Sequence, residues 1–192
     1  MTGLIILAAG ESSRLGQPKQ NLLFNGQTLL QRAADAGKIA GCKPVIVVLG
    51  ANAGMITPIA ETTTLYNQNW KEGIASSIRT AINEVGKDIS INQVIIMLCD
   101  QPFVSAALLN TLINRQIETS KLIVACTYNN TTGVPALFDR ALFTELQLLQ
   151  GPEGAKKLLN AHPDYIATVS FEQGNIDIDT PGDYEQLRKL SD

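Results

Sequence analysis

The chain has 192 residues, of which 45% are hydrophobic and 17% are charged, and its formal net charge is −3. This composition is typical of a globular protein with one well-buried core, so we expect a single domain over residues 1–192. The negative charge and the 5% aromatic content argue against nucleic acid as the main partner.

No apolar run approaches the ~18 residues of a membrane-spanning helix, so no membrane partner is expected. The opening GLIILAAG follows no basic segment and lacks a cleavage site, which indicates a strand and not a signal peptide. Three cysteines, Cys42, Cys99 and Cys126, show no zinc or disulfide spacing. We expect them to be small buried residues in a reducing cytosol, which predicts a cytoplasmic location.

Apolar strands alternate with amphipathic helices along the chain. Strands are predicted, in order, at residues 3–9, 43–50, 63–67, 93–100, 121–128, 133–138 and 165–171. Helices are predicted at residues 28–39, 72–85, 106–117 and 154–161, after Asp139, and from Pro181 onwards. Because the strands are largely apolar throughout, they are expected to form a mostly parallel α/β sheet covered on both faces.

Ligands bind beyond the carboxyl ends of strands in such a sheet, so the loop after the first strand is the expected site. The loop reads LAAGESSRLGQPK, from Leu7 to Lys19. It is not a Walker loop, because five residues separate Gly10 from Gly16 and Gln17 follows. The pattern G-x-G-x-x-G is also missing, which argues against a nicotinamide-dependent oxidoreductase.

Small residues nevertheless predict that a ligand contacts the backbone here. Leu7 leads into Ala8, Ala9 and Gly10, which leave a flat or phosphorylated ligand room to approach the main chain. Gly10 and Gly16 can adopt positive φ, and consecutive amides in such a turn form a concavity that binds anions.

Polar side chains in the same loop suit a polyphosphate. Ser12 and Ser13 add hydroxyl groups, and Arg14 and Lys19 add two full positive charges. Pro18 fixes the backbone just before Lys19 and so aims it. The alternative is a solvated glycine loop with two surface cations, which the joint occurrence of strand, small residues and cations disfavours.

The opening, residues 7–30, resembles that of the MobA-like nucleotidyltransferases, and most closely their molybdenum cofactor cytidylyltransferase branch. Further segments resemble the same family at residues 66–82, 98–113, 133–159 and 176–187. The resemblance implies a three-layer α/β/α, Rossmann-like nucleotide-diphospho-sugar transferase fold with a mixed, mostly parallel sheet.

Aspartates at two places suit a metal ion. Asp100 ends a buried strand, where a carboxylate needs a partner; a cation provides one, and a role in the following turn is the alternative. In a strand, Asp177 and Asp179 would alternate faces, although Asp179 or Thr180 could instead cap the last helix. The resemblance implies that one of them completes a Mg²⁺ site with Asp100, and we expect Asp179, with Asp177 as the alternative.

The resemblance also implies the reaction: a nucleoside monophosphate moves from a nucleoside triphosphate to a phosphorylated acceptor such as molybdopterin, releasing pyrophosphate. The acceptor phosphate is already a nucleophile at neutral pH, so no general base is required, and His162, the one histidine, is expected in a loop. We expect Lys19 to stabilise the transition state at the α-phosphorus and Arg14 to hold the β- and γ-phosphates.

Base recognition is predicted at the start of the second helix. Gly73 there lets a planar base approach the backbone, and Ser76 and Ser77 either bond the base or ribose or simply begin the helix. The resemblance implies that Ala8-Ala9 goes with a pyrimidine. CTP is therefore the first expected substrate and GTP the second.

One departure from the family leaves the acceptor open. Where the family has Gly-His-Pro, this chain has Gly133-Val134-Pro135. Glu153, Gly154 and Lys156 either contact the acceptor or only begin a helix. One alternative is a sugar- or polyol-phosphate nucleotidyltransferase. The other is a non-catalytic molybdenum cofactor chaperone, and the presence of Lys19 and Asp100 disfavours the chaperone.

Overall fold

The computed structural model describes residues 1–190 and shows a seven-stranded sheet with helices on both faces. The strands are β1 (Thr2–Ala8), β2 (Leu23–Phe24), β3 (Gln27–Thr28), β4 (Val45–Leu49), β5 (Thr63–Tyr66), β6 (Gln93–Leu98), β7 (Ile123–Tyr128), β8 (Thr131–Asp139) and β9 (Ile166–Ser170). The helices are α1 (Leu29–Ile39), α2 (Ile74–Val85), α3 (Ala106–Thr119), α4 (Phe143–Gln147), α5 (Lys156–Ala161) and α6 (Pro181–Lys189). Within residues 1–190, no helix combines the length and the apolar character needed to cross a bilayer.

The large sheet is mixed and mostly parallel, as predicted. Its strand order is β5-β4-β1-β6-β8-β7-β9, and β1 pairs in parallel with both β4 and β6. Among the strands of this sheet in residues 1–190, only β8 runs antiparallel to its neighbours. Asn129 and Asn130, with φ of 47° and 57°, join β7 to β8 in a tight turn of the kind that reverses a chain into a hairpin.

The core lies on both faces of this sheet. Strand β1 is apolar and buried along almost its whole length, which explains why its sequence does not alternate. Helices α2, α4 and α5 cover one face, and α1 and α3 cover the other. All three cysteines are buried, as predicted.

A third, smaller apolar cluster joins the first loop and the β2–β3 hairpin to the C-terminal segment of residues 178–187. It joins Leu15 of the first loop, Phe24 of the β2–β3 hairpin and Leu187 of α6 around Ile178, which is fully buried. The hairpin was not predicted from the sequence. Because Ile178 lies between Asp177 and Asp179, this cluster brings both carboxylates to the first loop.

Two helices begin later than predicted, each shortly after a glycine. Helix α2 begins at Ile74 because Gly73 has φ of 122° and ψ of −179°. Helix α5 begins at Lys156 because Gly154 adopts φ of 55°. Neither backbone conformation is helical, so the preceding turn cannot continue into the helix.

Candidate functional site

The first loop leaves the sheet at the carboxyl edge of β1. Gly16 has φ of 67°, as expected, but the other positive φ, of 56°, falls on Ser12. Gly10 does not use the positive φ of which a glycine is capable. A Cβ atom on Gly10 would meet nothing within 4 Å, so this glycine instead leaves open space beside the backbone.

Ser12 closes the loop onto the segment that carries the lysine. Its Oγ accepts a hydrogen bond from the Lys19 backbone amide at 3.1 Å. A serine in the left-handed region is uncommon, and this contact helps to hold it there. Ser12 therefore shapes the loop, and it does not line the cavity described below.

Lys19 joins two carboxylates from distant parts of the chain. Its Nζ donates to Asp100 Oδ2 at 2.5 Å and to Asp179 Oδ1 at 2.7 Å. Burial lowers the pKa of the Lys19 ammonium, but the charge of Asp100 and the hydrogen bonds to both carboxylates outweigh burial and raise that pKa above its ordinary value. Lys19 is therefore fully charged at neutral pH.

Asp100 has one carboxylate oxygen without a hydrogen-bond partner, and this oxygen could bind a metal ion. The residue is only 7% exposed, and its Oδ1 is buried without a hydrogen-bond partner. Such an oxygen is costly to bury unless a cation or a donor meets it. Across residues 1–190, no three His, Cys, Asp or Glu side chains converge on a metal position. Two carboxylates with phosphate and water ligands are, however, what Mg²⁺ prefers.

Asp179 is the second carboxylate at this position. It does not lie in a strand: residues 176–180 are irregular and follow a 3₁₀ turn, Glu172–Asn175. The hydrogen bond from Lys19 lowers the pKa of the Asp179 carboxyl, and so do the charges of Lys19 and Arg14, against the effect of burial. Arg14 donates to Asp179 Oδ2 at 2.8 Å.

Asp177 has a different environment. Burial, and after it the negative charges of Asp100 and Asp179, together raise the pKa of its carboxyl to about 6. Thr180 is the N-cap of α6, so of the capping alternatives it is Thr180 and not Asp179 that begins the helix. Of the two carboxylates, Asp179 is the one in contact with Lys19.

A cavity of about 390 Å³ opens beside Lys19 and Asp100 at the carboxyl ends of β1 and β6. The predicted nucleotide-binding residues that line it are Leu7, Ala8, Ala9, Gly10, Gly73 and Ser77. Ser12, Ser13, Arg14 and Asp179 are not among its lining residues. Arg14 nevertheless connects to the cavity through Asp179 and Lys19.

The two serines of α2 have separate roles. Ser76 Oγ shares its one proton between the carbonyls of Asn69 and Gly73, accepts from Asn67 Nδ2 at 2.7 Å, and is thus satisfied within the protein. Ser77 lines the cavity, and its Oγ accepts from Asn67 Nδ2 at 2.9 Å. Asn67 is buried and was not predicted from the sequence. An amide that orients a serine beside a cavity is visible only in three dimensions.

Three further lining residues, Gln20, Trp70 and Lys71, were also missed. Gln20 is 1% exposed, and its Nε2 donates to the Ala8 carbonyl at 2.6 Å. This hydrogen bond ties the 3₁₀ turn Lys19–Asn21 to the end of β1. Trp70 is the chain's one tryptophan and lies three residues before Gly73. That rarity and spacing could have marked it as a cavity residue.

A second cavity, of about 210 Å³, lies next to the first and shares Leu7, Ile74 and Leu98 with it. It contains Val134, Glu153 and Lys156, three of the positions considered for the acceptor. Gly154 does not line it; a Cβ there would overlap Ile74.

Comparison with protein families matches residues 4–166 to the MobA-like NTP transferase domain. The chain is 28% identical to nicotine blue oxidoreductase of Paenarthrobacter nicotinovorans, over 97% of this chain and 94% of that protein. It is 24% identical to the purine catabolism protein PucB of Bacillus subtilis (strain 168), over 96% and 95% of the two chains. A 50-residue stretch, 26% of this chain and 25% of the relative, is 42% identical to a probable molybdenum cofactor guanylyltransferase of Opitutus terrae.

Among solved structures, Rv0371c of Mycobacterium tuberculosis H37Rv superimposes with a TM-score of 0.86 and 30% identity, covering 98% of this chain and 97% of that one. A complex of Rv0371c with manganese superimposes with a TM-score of 0.81 and 28% identity, over 98% and 97% of the chains.

Proposed function

The chain belongs to the MobA-like NTP transferase family and is a nucleotidyltransferase, and we propose that it transfers CMP from CTP, with GTP as the second choice, to a phosphorylated acceptor. The observation that carries this proposal is the contact of Lys19 with Asp100 and Asp179 beside the cavity. Molybdopterin is the first acceptor to test, since part of the chain matches a molybdenum cofactor guanylyltransferase.

The reaction requires charge stabilisation more than proton transfer. An oxygen of the acceptor phosphate attacks the α-phosphorus, a new P–O bond forms, the α–β bond breaks, and pyrophosphate leaves with the electron pair. Lys19 has three donors, of which the two carboxylates use two, so one remains for an α-phosphate oxygen. Arg14 uses one of its donors on Asp179 and offers the others to the leaving pyrophosphate.

Asp100 and Asp179 would hold a Mg²⁺ ion. The buried, unpartnered Asp100 Oδ1 supports this assignment, and a manganese complex of Rv0371c agrees with a divalent ion in a similar fold. When bound, the ion supplies positive charge to phosphate oxygens that otherwise repel each other.

The nucleoside would lie along the small residues at the end of β1. Ala8, Ala9 and Gly10 let a base or ribose reach backbone groups, and Ser77 offers a hydroxyl that Asn67 orients. The adjoining cavity would hold the acceptor. We also propose that residues 1–192 form one domain and that the protein works in a reducing cytoplasm; the three free, buried thiols support the reducing compartment.

The test is pyrophosphate release in the presence of Mg²⁺ and each of CTP, GTP, ATP and UTP, with and without molybdenum cofactor. Release with CTP that requires the cofactor supports the whole proposal. Release with another phosphorylated acceptor, such as a sugar phosphate, keeps nucleotidyl transfer and changes the acceptor. Failure of every triphosphate to bind contradicts the nucleotide site itself.

A further inference from the structure

The second cavity has an aliphatic floor. Apart from the three residues shared with the nucleotide cavity, its apolar lining comprises Ile78, Ile96, Val134, Ala155 and Leu159. Its exposed polar residues, Thr131, Glu153 and Lys156, lie at the rim. A molecule placed here therefore meets hydrocarbon with most of its surface, and it can still present a phosphate to the neighbouring cavity beside Lys19.

Tyr128 provides a rigid aromatic wall. Its ring is held between two glycines, because a Cβ on Gly133 would overlap the hydroxyl and a Cβ on Gly174 would overlap the ring edge. The hydroxyl donates to the Val134 carbonyl at 3.3 Å. The proton of Tyr128 is thus already used within the protein, and what the residue offers a ligand is its ring.

The lining charges select against a charged ligand body. Glu153 and Lys156 have opposite signs, and no other charged side chain of the described residues, 1–190, lines the cavity. Hydroxyl groups on a ligand would lose their hydrogen bonds to water against the aliphatic floor, and each unreplaced bond costs free energy. The cavity volume, about 210 Å³, allows only a small group.

We propose that the second cavity holds the body of the acceptor and selects a compact, neutral ring in preference to a sugar or polyol. The acceptor is accordingly the phosphomonoester of such a ring, with its phosphate directed towards Lys19. This inference rests on the proposed nucleotidyl transfer, which it makes more specific. It assigns the selection of the ring to Val134 and Tyr128.

The test is calorimetric titration with 1-naphthyl phosphate and with glucose 1-phosphate, in Mg²⁺ with and without a CTP analogue that has a methylene bridge between its α- and β-phosphates. We expect the naphthyl ester to bind at least about tenfold more tightly than the sugar phosphate. Val134→Asn should raise the Kd of the naphthyl ester about tenfold. Ile89→Asn, at a position that is 83% exposed, should leave it unchanged.

Equal Kd values for the two esters, or no binding of the naphthyl ester, would overturn the inference. The wild-type comparison decides this even if Val134→Asn does not fold. Binding of the CTP analogue is a separate result: if the analogue binds and the naphthyl ester does not, only the choice of acceptor fails. If the analogue does not bind, the proposed function fails. The Kd values of the two esters measured without nucleotide then still show whether the second cavity prefers a ring to a sugar.

Discussion

Lys19 is the residue on which the charges of the site converge. Its side chain is only 14% exposed and lies between the Asp100 and Asp179 carboxylates. Without the Lys19 ammonium, these two negative charges would repel each other. The same ammonium is placed to meet a phosphate at the adjoining cavity. One residue therefore supports both the assembly of the site and its expected chemistry.

Replacing Lys19 by alanine should lower kcat/KM for nucleotidyl transfer by about 10²–10³-fold. The loss of one preorganised donor at a developing charge costs about 3 kcal/mol of transition-state stabilisation. Steady-state pyrophosphate release measures this effect, with circular dichroism to verify folding. Lys87→Ala is the matched control, because the Lys87 side chain is 70% exposed and forms an ion pair with Glu84, away from the site. A Lys19→Ala protein with wild-type kcat/KM would remove Lys19 from the mechanism.

Asp177 and Asp179 form a matched pair for testing the metal assignment. Asp179→Asn should raise the Mg²⁺ concentration needed for half-maximal transfer by at least about tenfold, because it removes a charged ligand oxygen. Asp177→Asn should change that concentration much less, because the Asp179 carboxylate contacts Lys19 and Arg14 and remains in place. Metal titrations of the two variants decide the matter. The reverse order of effects would move the metal ligand to Asp177.

At the scale of elements, helix α6 holds the C-terminal carboxylates. Thr180 Oγ1 accepts the Asp183 amide at 3.2 Å, and Asp183 Oδ2 accepts the Thr180 amide at 2.8 Å, which is a reciprocal capping box. Asp183 Oδ2 also accepts the Asp179 amide at 3.2 Å. The cap thus fixes the backbone of Asp179 as well as the first turn of the helix.

Thr180→Ala should destabilise the protein by about 1 kcal/mol, the usual cost of losing an N-cap hydroxyl. It should also lower kcat/KM, because the neighbouring Asp179 loses a fixed position. Urea unfolding and pyrophosphate release measure the two effects. Thr180→Ser retains the hydroxyl and should restore both. Reduced stability with unchanged kcat/KM would show that the cap does not position Asp179.

The sequence predicted elements with strong local signals and missed those that depend on distant contacts. The first loop could be interpreted because small residues and cations occur together after an apolar strand. Strands β2 and β3 have two residues each, too few for any periodicity to be seen. The Asn129-Asn130 turn did carry a signal for the reversal into β8. The choice between Asp177 and Asp179 depends on the packing of Ile178, which no local pattern shows.

At the scale of the whole molecule, the site draws together segments that are far apart in the chain. Lys19 is separated from Asp100 by 81 positions and from Asp179 by 160. The carboxyl ends of β1 and β6, together with the third apolar cluster, make these segments neighbours. An unfolded chain therefore cannot form the site, and a ligand of the site binds the folded protein alone.

Binding of CTP with Mg²⁺ should consequently raise the melting temperature. At about a hundredfold excess of free ligand over Kd, binding only to the native state adds about 2.7 kcal/mol of stability. For a chain of this size, that gain corresponds to roughly 5–10 °C. Scanning calorimetry at increasing CTP concentration measures the shift. EDTA should abolish most of the rise in melting temperature if Asp100 and Asp179 hold the ion. Asp100→Asn should have the same effect without EDTA.

A melting temperature that stays constant at millimolar CTP would mean that the cavity beside Lys19 does not bind this nucleotide. The same titration with GTP then determines whether the base preference alone is wrong or the nucleotide site as a whole.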